Sequence, residues 1–343
     1  MSEGTNTSSA QAATQAAGRP TFEVVWSSLA PFIGLALVVL IFVVYQWLVT
    51  PERPFLSQYR MTLIAKQTAI VGMGALGMTV IIISGGIDLS AGSLLAVTSV
   101  VLAVSLRAGI DPVVCVLLVL AVGMASGLIN GLLITGLRLV PFIVTLGTMM
   151  AFRGVAEIVS DNKKVSYQDA PNWLSTLLNA PPEGSYQGVA TGVWIVLALA
   201  LLLAIMLRYT VFGRYVFAIG SSEATARLCG VNVPGMKLTV YTLGGLFMAV
   251  AGIFAFANLG SQGSPTEGVG LELSIIAAVV IGGGSLSGGR GSVLGSLLGA
   301  LMMTTLESGC GYAGVSTAIQ RVIVGLIIVG AVAVDQFVHA QRR

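Results

Sequence analysis

Charge is what this sequence has least of. Aspartate, glutamate, lysine and arginine make up 9% of its 343 residues, against roughly a quarter in a soluble protein. A soluble fold of this length needs more charge than that to cover its surface, so a water-soluble globule is excluded. Histidine is nearly absent. The single one, His339, stands close to the C-terminus, which removes histidine-based catalysis and histidine–zinc chemistry inside a membrane. Cysteines are few: Cys115, Cys229 and Cys310 show neither metal-ligand spacing nor the regular pattern of a disulfide framework. No convergent nucleophile–base set is present. No lysine follows a glycine, so the G-K-[ST] core of a P-loop is missing and the chain does not hydrolyse ATP by that route. The net charge of +3 is spread thinly along the sequence, and nucleic acid is not indicated as a partner. The start of the sequence is not expected to act as a signal peptide. Residues 1–20 are polar, and the apolar run after them is too long for a signal h-region and has no clear cleavage site.

What is there is apolar sequence in blocks. Apolar residues account for 55% of the chain, and they fall into runs of about 20, the length that crosses a hydrocarbon core. Ala30 to Val49, Val113 to Ile134 and Thr317 to Val334 are examples. The strands of a membrane barrel would be about ten residues long and alternating, so the pattern predicts an all-α, polytopic membrane protein of about ten transmembrane helices. Spans are expected near 27–49, 61–84, 91–108, 112–136, 140–158, 190–208, 237–257, 270–284, 291–307 and 317–338. Residues 1–25 are expected to form a disordered cytoplasmic tail and 26–340 a single transmembrane domain. Placing both termini in the cytoplasm keeps Arg138, Arg208, Arg214, Arg227, Lys237 and Arg290 inside, the orientation that the positive-inside rule favours. Residues 159–189 then form an outer, periplasmic loop and 209–236 a cytoplasmic one.

Within the cytoplasmic loop, Ser222 is placed to cap a short helix through Glu223, Ala224, Ala226, Arg227 and Leu228, and Gly230 to end it. An exposed, capped helix between two spans suits docking of a soluble partner; the plainer reading, favoured by the residues alone, is an ordinary interspan loop. Glycine numbers 43. Gly123, Gly127 and Gly131, and again Gly291, Gly295 and Gly299, are spaced for close helix packing. Gly72, Gly74 and Gly77 match a dinucleotide fingerprint formally, but inside an apolar span with no preceding strand. Two glycine-rich breaks interrupt the apolar pattern. One is SGGIDLSAGS, Ser84 to Ser93, where Gly85 and Gly86 end one helix and Asp88 or Ser90 can cap the next. The other runs from Gly282 to Ser292 and holds Gly283, Gly284, Gly288 and Gly289. Irregular backbone at membrane depth is tolerated where protein or a water-filled cavity satisfies it, so these breaks read either as hinges on a transport pathway or as tight turns. Ionisable residues near the spans are few. Arg153 and Glu157 can pair along one helix, while Glu272 and Glu307 lie at predicted outer helix ends.

Four stretches carry a family resemblance: Ser84 to Val101, Asn130 to Ala156, Phe212 to Val233 and Leu271 to Ala300. In order and spacing they resemble the permeases of ribose- and xylose-type ABC sugar importers, over nearly the whole chain after residue 25. The combination of GGIDLS with the EATARLCG segment is the specific part. Thr225 and Cys229 stand where relatives commonly have alanine and serine, and Ala91 where valine is usual; all are small changes. The resemblance implies a type II ABC importer-like permease of the bacterial inner membrane that moves a small monosaccharide such as ribose. It implies a homodimer with a second permease copy, an ABC ATP-binding subunit docked on the coupling helix (Glu223, Ala224, Ala226, Arg227, Leu228, Gly230), and a periplasmic sugar-binding protein received partly by the loop with Lys163 and Lys164. ATP and magnesium would be used by the partner ATPase, with no cofactor bound by this chain. Asp88, Asn130, Phe142, Thr145 and Asn258 are candidate pathway residues by polarity and position. The alternatives are an ion-coupled secondary transporter and a permease of a branched-chain amino acid ABC importer.

Overall fold

A computed structural model describes residues 21–180 and 189–340. The expected tail lies outside the described residues up to position 20; from Thr21 the chain is helical. Among the described residues there are thirteen helices: α1 (Thr21–Val49), α2 (Gln58–Ile83), α3 (Ala91–Arg107), α4 (Pro112–Gly136), α5 (Pro141–Val159), α6 (Asn172–Ser175), α7 (Thr191–Tyr209), α8 (Val211–Ser221), α9 (Glu223–Leu228), α10 (Val233–Asn258), α11 (Leu271–Ile281), α12 (Val293–Tyr312) and α13 (Thr317–Ala340). Seven of them are long and apolar enough to cross a membrane: α1 from Pro31, α2, α4, α5, α7, α10 and α12. Three shorter apolar helices, Ala91–Arg107, Leu271–Ile281 and Thr317–Gly330, accompany them.

Helix starts follow local chemistry. Asp111 caps α4 by accepting from the amide of Val113 at 2.9 Å, with Pro112 in the first position, where its missing N–H costs nothing. Asn232 caps α10 through the Gly235 amide at 3.1 Å, and Ser292 caps α12 through the Gly295 amide at 3.1 Å. The break after α2 is different. Ser90 precedes α3 without a side-chain cap bond. Asp88 instead accepts from the Ser90 amide at 2.8 Å and the Ser90 hydroxyl at 2.6 Å, which closes a turn on the residue before the helix. Neither side chain caps α3, so the expected capping role is replaced by a turn-forming one.

The centre of the bundle is α2 and α10. From Ala69 to Ile83 every side chain of α2 is buried, as expected of a helix that is apolar on all sides. The glycines of α4 let α10 come close. A methyl group on Gly127 would overlap the Tyr241 carbonyl oxygen, and one on Gly123 would press on Ala249 and the Gly245 carbonyl. Gly295 and Gly299 do the same for α11 against α12, facing the carbonyls of Gly282 and Ala278. Gly291 lies before α12 and packs on the Ile83 side chain instead. Gly72, Gly74 and Gly77 are helical and buried within α2. The outer helices α1, α4, α5 and α7 each leave large apolar side chains exposed, Leu40, Leu117, Met150 and Leu201 among them, which suits a lipid-facing surface. Helix α1 is held by a small second core in which the Arg60 guanidinium sits 4.6 Å from the Tyr312 ring centre.

The two long loops lie at opposite ends of α10. Helix α9 precedes its N-terminus. Beyond its C-terminus, β2 (Gln262–Gly263) pairs antiparallel with β1 (Val165–Ser166) of the loop that follows α5. Twenty-six residues of helix separate the two ends, about 39 Å at 1.5 Å per residue.

Candidate coupling site at two helix breaks

Helix α9 is built as a short, closed unit. The Ser222 hydroxyl accepts from the Thr225 amide at 3.2 Å. At the other end Gly230 takes φ +82, its amide donates to the Arg227 carbonyl, and the Val231 amide donates to Ala226, the paired bonds of a Schellman stop. One residue anchors it: Ala226 is buried with Ile219 of α8 and Val233 of α10. The rest of its surface is open, and Leu228 is 89% exposed. Glu223 is bracketed by Arg227 at 3.0 Å on the same helix and by Lys237 of α10 at 2.6 Å. The Lys237 hydrogen bond holds its carboxyl below the usual range. These bonds tie α9 to the start of α10. Glu223, Ala224, Arg227 and Leu228 together line an open surface hollow.

One turn earlier, α8 meets both glycine breaks at once. Gly220 packs so closely that a methyl group there would overlap the Ile83 carbonyl oxygen at the end of α2 and stand 2.5 Å from the Gly289 nitrogen. The Gly289 amide donates to that same Ile83 carbonyl at 2.9 Å, joining the second break to the first. Gly288, at φ +84, has its own Cβ position 3.0 Å from the Cα atoms of both Gly220 and Gly85, and Gly85 has φ +81. Three segments distant in sequence therefore touch backbone to backbone. Only Ser221 and Ser222 separate Gly220 from the first residue of α9. Gly86, Gly282 and Gly284 are tightly packed too, against Tyr241, Gly295 and Val279, whereas Gly283, at φ +92, has nothing near its Cβ position.

Of the five candidate pathway residues, the structure gathers three. Asp88, Asn130 and Thr145 are all buried. Asn130 donates to the Ser90 hydroxyl at 2.9 Å, and Thr145 donates to the Ile87 carbonyl at 3.3 Å. Tyr241 of α10 donates to the same carbonyl at 3.4 Å. The first break is thus held by hydroxyls and an amide from three helices, as unwound backbone at membrane depth requires. The Asn130 Oδ1 atom is buried without a hydrogen-bond partner. Phe142 is exposed near the start of α5, and Asn258 is exposed at the far end of α10; these two do not join the cluster.

The family described as branched-chain amino acid transport system, permease component, matches residues 60–332. The chain belongs to this permease family. It is 38% identical over 315 residues to the ribose import permease protein RbsC of Bacillus subtilis, covering 92% of this chain and 94% of that one. It is 40% identical over 272 residues to the RbsC protein of Escherichia coli K12, covering 79% and 84%, and 38% identical over 289 residues to the fructose import permease protein FrcC of Rhizobium meliloti, covering 83% and 80%. No solved structure matches it at comparable significance. The chain is a multi-pass membrane permease and not itself an enzyme.

At the other end of this permease, Arg153 does not pair with Glu157 as its spacing suggests. Its guanidinium donates to the carbonyls of Pro265, at 2.5 Å, and Glu267, at 2.7 Å, and so pins the loop after α10 to α5. Glu272 accepts from the Gly270 amide at 3.2 Å. Glu307 is partly exposed and accepts from Ser274 at 3.0 Å, bridging α12 to α11. Lys163 pairs with Asp161 on the exposed loop, beside exposed Lys164. Sequence reasoning missed Gly220, Tyr241 and Lys237. Gly220 precedes two serines in a polar stretch and reads as part of the loop; its role is visible only when α2 and α12 fold back to it.

Proposed function

We propose that this chain is the permease subunit of an ATP-driven ABC importer of the bacterial inner membrane that translocates a small monosaccharide. The observation that carries the proposal is the α8–α9 unit. An exposed, firmly capped helix stands outside the bundle and continues without slack into the joint between two helix breaks. That arrangement suits conversion of an external push into a change of helix packing. The identity to ribose and fructose import permeases supports a sugar as cargo.

On this reading the spans number about ten, counting the three shorter apolar helices, with both termini in the cytoplasm. Two copies form the pathway. Each copy presents α9 to one ATP-binding subunit, with Ala224, Arg227 and Leu228 at the contact and Glu223 holding the helix in place; that subunit holds ATP and magnesium, and this chain binds neither. Closure of the ATPase pair moves α9, the movement passes through Gly220 to the breaks, and the bundle rocks between outward-open and inward-open packings. The Lys163–Lys164 loop receives the periplasmic binding protein. Asp88, Asn130 and Thr145 act at the first break, where rearrangement opens hydroxyl and amide groups to sugar, with Phe142 and Asn258 at opposite mouths.

The test is purification of the tagged chain in mild detergent with its partners, followed by ligand screening of the binding protein. A co-purifying ATPase with Walker motifs and a sugar-loaded binding protein is the expected result. A binding protein that takes leucine or valine would assign the cargo to the amino acids named in the family description. Uptake that ignores ATP depletion but collapses with an uncoupler would replace the proposal with ion-coupled transport.

A further inference from the structure

Helix α7 has two faces. Gly192, Val196, Ala200, Leu203 and Leu207 are buried, at helical spacing. The opposite face is exposed and apolar through Leu197, Leu201, Leu202 and Ile205. Within one further turn the same face changes to Arg208 and Tyr209, both exposed. A stripe that faces acyl chains for most of its length and ends in arginine and tyrosine reaches the headgroup layer at that point. Helix α8 continues the pattern at once. Gly213, Val216 and Ile219 are its buried face, while Val211, Arg214 and Tyr215 are exposed.

The two arginines have no acidic partner among the described residues. Arg208 contacts the Tyr209 ring at 5.6 Å. The only acid in residues 208–237 is Glu223, and it is already held by Arg227 and Lys237. That stretch has four basic residues and one acidic one, so it accounts for the chain's whole net charge of +3. The excess of basic residues is therefore local to one contiguous stretch of the sequence.

We propose that Arg208 and Arg214, with Tyr209 and Tyr215 beside them, form a binding surface for the phosphate headgroups of anionic phospholipids, and that this surface fixes α8 in the membrane interface. The charges are complementary, guanidinium groups take phosphate oxygens in paired hydrogen bonds, and the flanking tyrosines suit the headgroup layer. The occupant is lipid rather than the ATPase because Arg208 and Tyr209 prolong the lipid-facing stripe of a spanning helix, whereas Ala224 and Leu228 carry the exposed surface of α9. The consequence is mechanical: α8 bears both Gly220 and the connection to α9, so lipid held here sets the resting position of the joint. The proposal requires only that α7 spans the membrane, and it stands independently of the cargo and of the ATPase.

The experiment measures association of nitroxide-labelled phosphatidylglycerol and phosphatidylcholine with the purified full-length chain in bilayer vesicles, without ATPase or sugar. The expected result is a several-fold preference for phosphatidylglycerol that falls in high salt, is abolished by R208Q/R214Q and is retained by R208K/R214K. The lysine variant and an unchanged thermal midpoint guard against misfolding. Equal association of the two lipids with the unsubstituted chain overturns the proposal. So does a preference that survives the glutamine substitutions. A glutamine variant that keeps its lipid preference yet no longer recruits the ATPase assigns the arginines to that partner and likewise overturns it.

Discussion

Leu228 and Glu223 divide the work of α9 between contact and support. Leu228 is 89% exposed on a helix that buries Ala226, so its side chain contributes little to folding and is free to contact a partner. Leu228→Ala should leave the thermal midpoint unchanged and weaken ATPase recruitment roughly tenfold, the loss typical of an interface anchor; titration of the ATPase against detergent-solubilised permease reads both. Glu223 works inward, joining Arg227 and Lys237. Exposed ion pairs are each worth about 0.2–1 kcal/mol, and Lys237 is the more shielded of the two partners, so the bond to α10 outweighs the one within α9. The carboxyl is held below its usual value. Its stabilising contribution is therefore complete above the unfolded-state pKa, about 4.3, and is lost only as pH falls from there through the depressed folded value. Recruitment of the ATPase should be flat between pH 7 and pH 5 as far as Glu223 is concerned. Glu223→Gln should weaken recruitment at neutral pH to the level that the unsubstituted chain reaches only in acid, and a variant that binds normally at pH 7 would remove Glu223 from the support of α9.

At the scale of elements the joint between α8 and the two breaks is the part most sensitive to a single atom. Gly220→Ala places a methyl group against the Ile83 carbonyl and the Gly289 amide, and backbone cannot turn aside as a side chain can. Overpacking of this kind costs about 1–3 kcal/mol. The expected outcome is a chain that still inserts and recruits ATPase, with ATP hydrolysis no longer stimulated by loaded binding protein and uptake lost. Gly283→Ala serves as the comparison: its φ of +92 strains the turn, but nothing stands near the added carbon, so coupling should survive a modest loss of stability. Preserved uptake in the Gly220 variant would show that the close approach is packing alone. The contrast also marks what sequence makes legible. Helix positions follow from apolar length and from caps such as Asp111, Asn232 and Ser292, which act over three residues. The capped helix at Glu223–Leu228 follows from Ser222 and Gly230 for the same reason. The meeting of Gly85, Gly220, Gly288 and Gly289 does not, because it depends on how helices far apart in sequence stack. Arg153 teaches the same lesson: the spacing to Glu157 offers a local pair, but the carbonyls of a loop more than 100 residues away take the guanidinium.

For the whole molecule, the proposed orientation and the proposed docking face can be read with one native atom. Cys115 and Cys310 are buried, and Cys229 is exposed one residue beyond α9. Since α9 and the β1–β2 pair stand at opposite ends of α10, a bilayer around the apolar belt separates Cys229 from the Lys163–Lys164 loop. A membrane-impermeant maleimide should then label one thiol per chain in inside-out vesicles and none in intact cells stripped of their outer membrane. Asp161→Cys, on the exposed loop that carries Lys163 and Lys164, should add one thiol that intact cells label, with Cys229 still labelled only in inside-out vesicles. The same thiol reports docking: bound ATPase should protect Cys229 from the maleimide, and Leu228→Ala should restore its reactivity at ATPase concentrations that protect the unsubstituted chain. Labelling of Cys229 from outside would turn the topology over and place α9 on the side of the binding protein. Correct sidedness without protection would keep the topology but move the ATPase to another cytoplasmic surface, and the joint at Gly220 would then need a different source of motion.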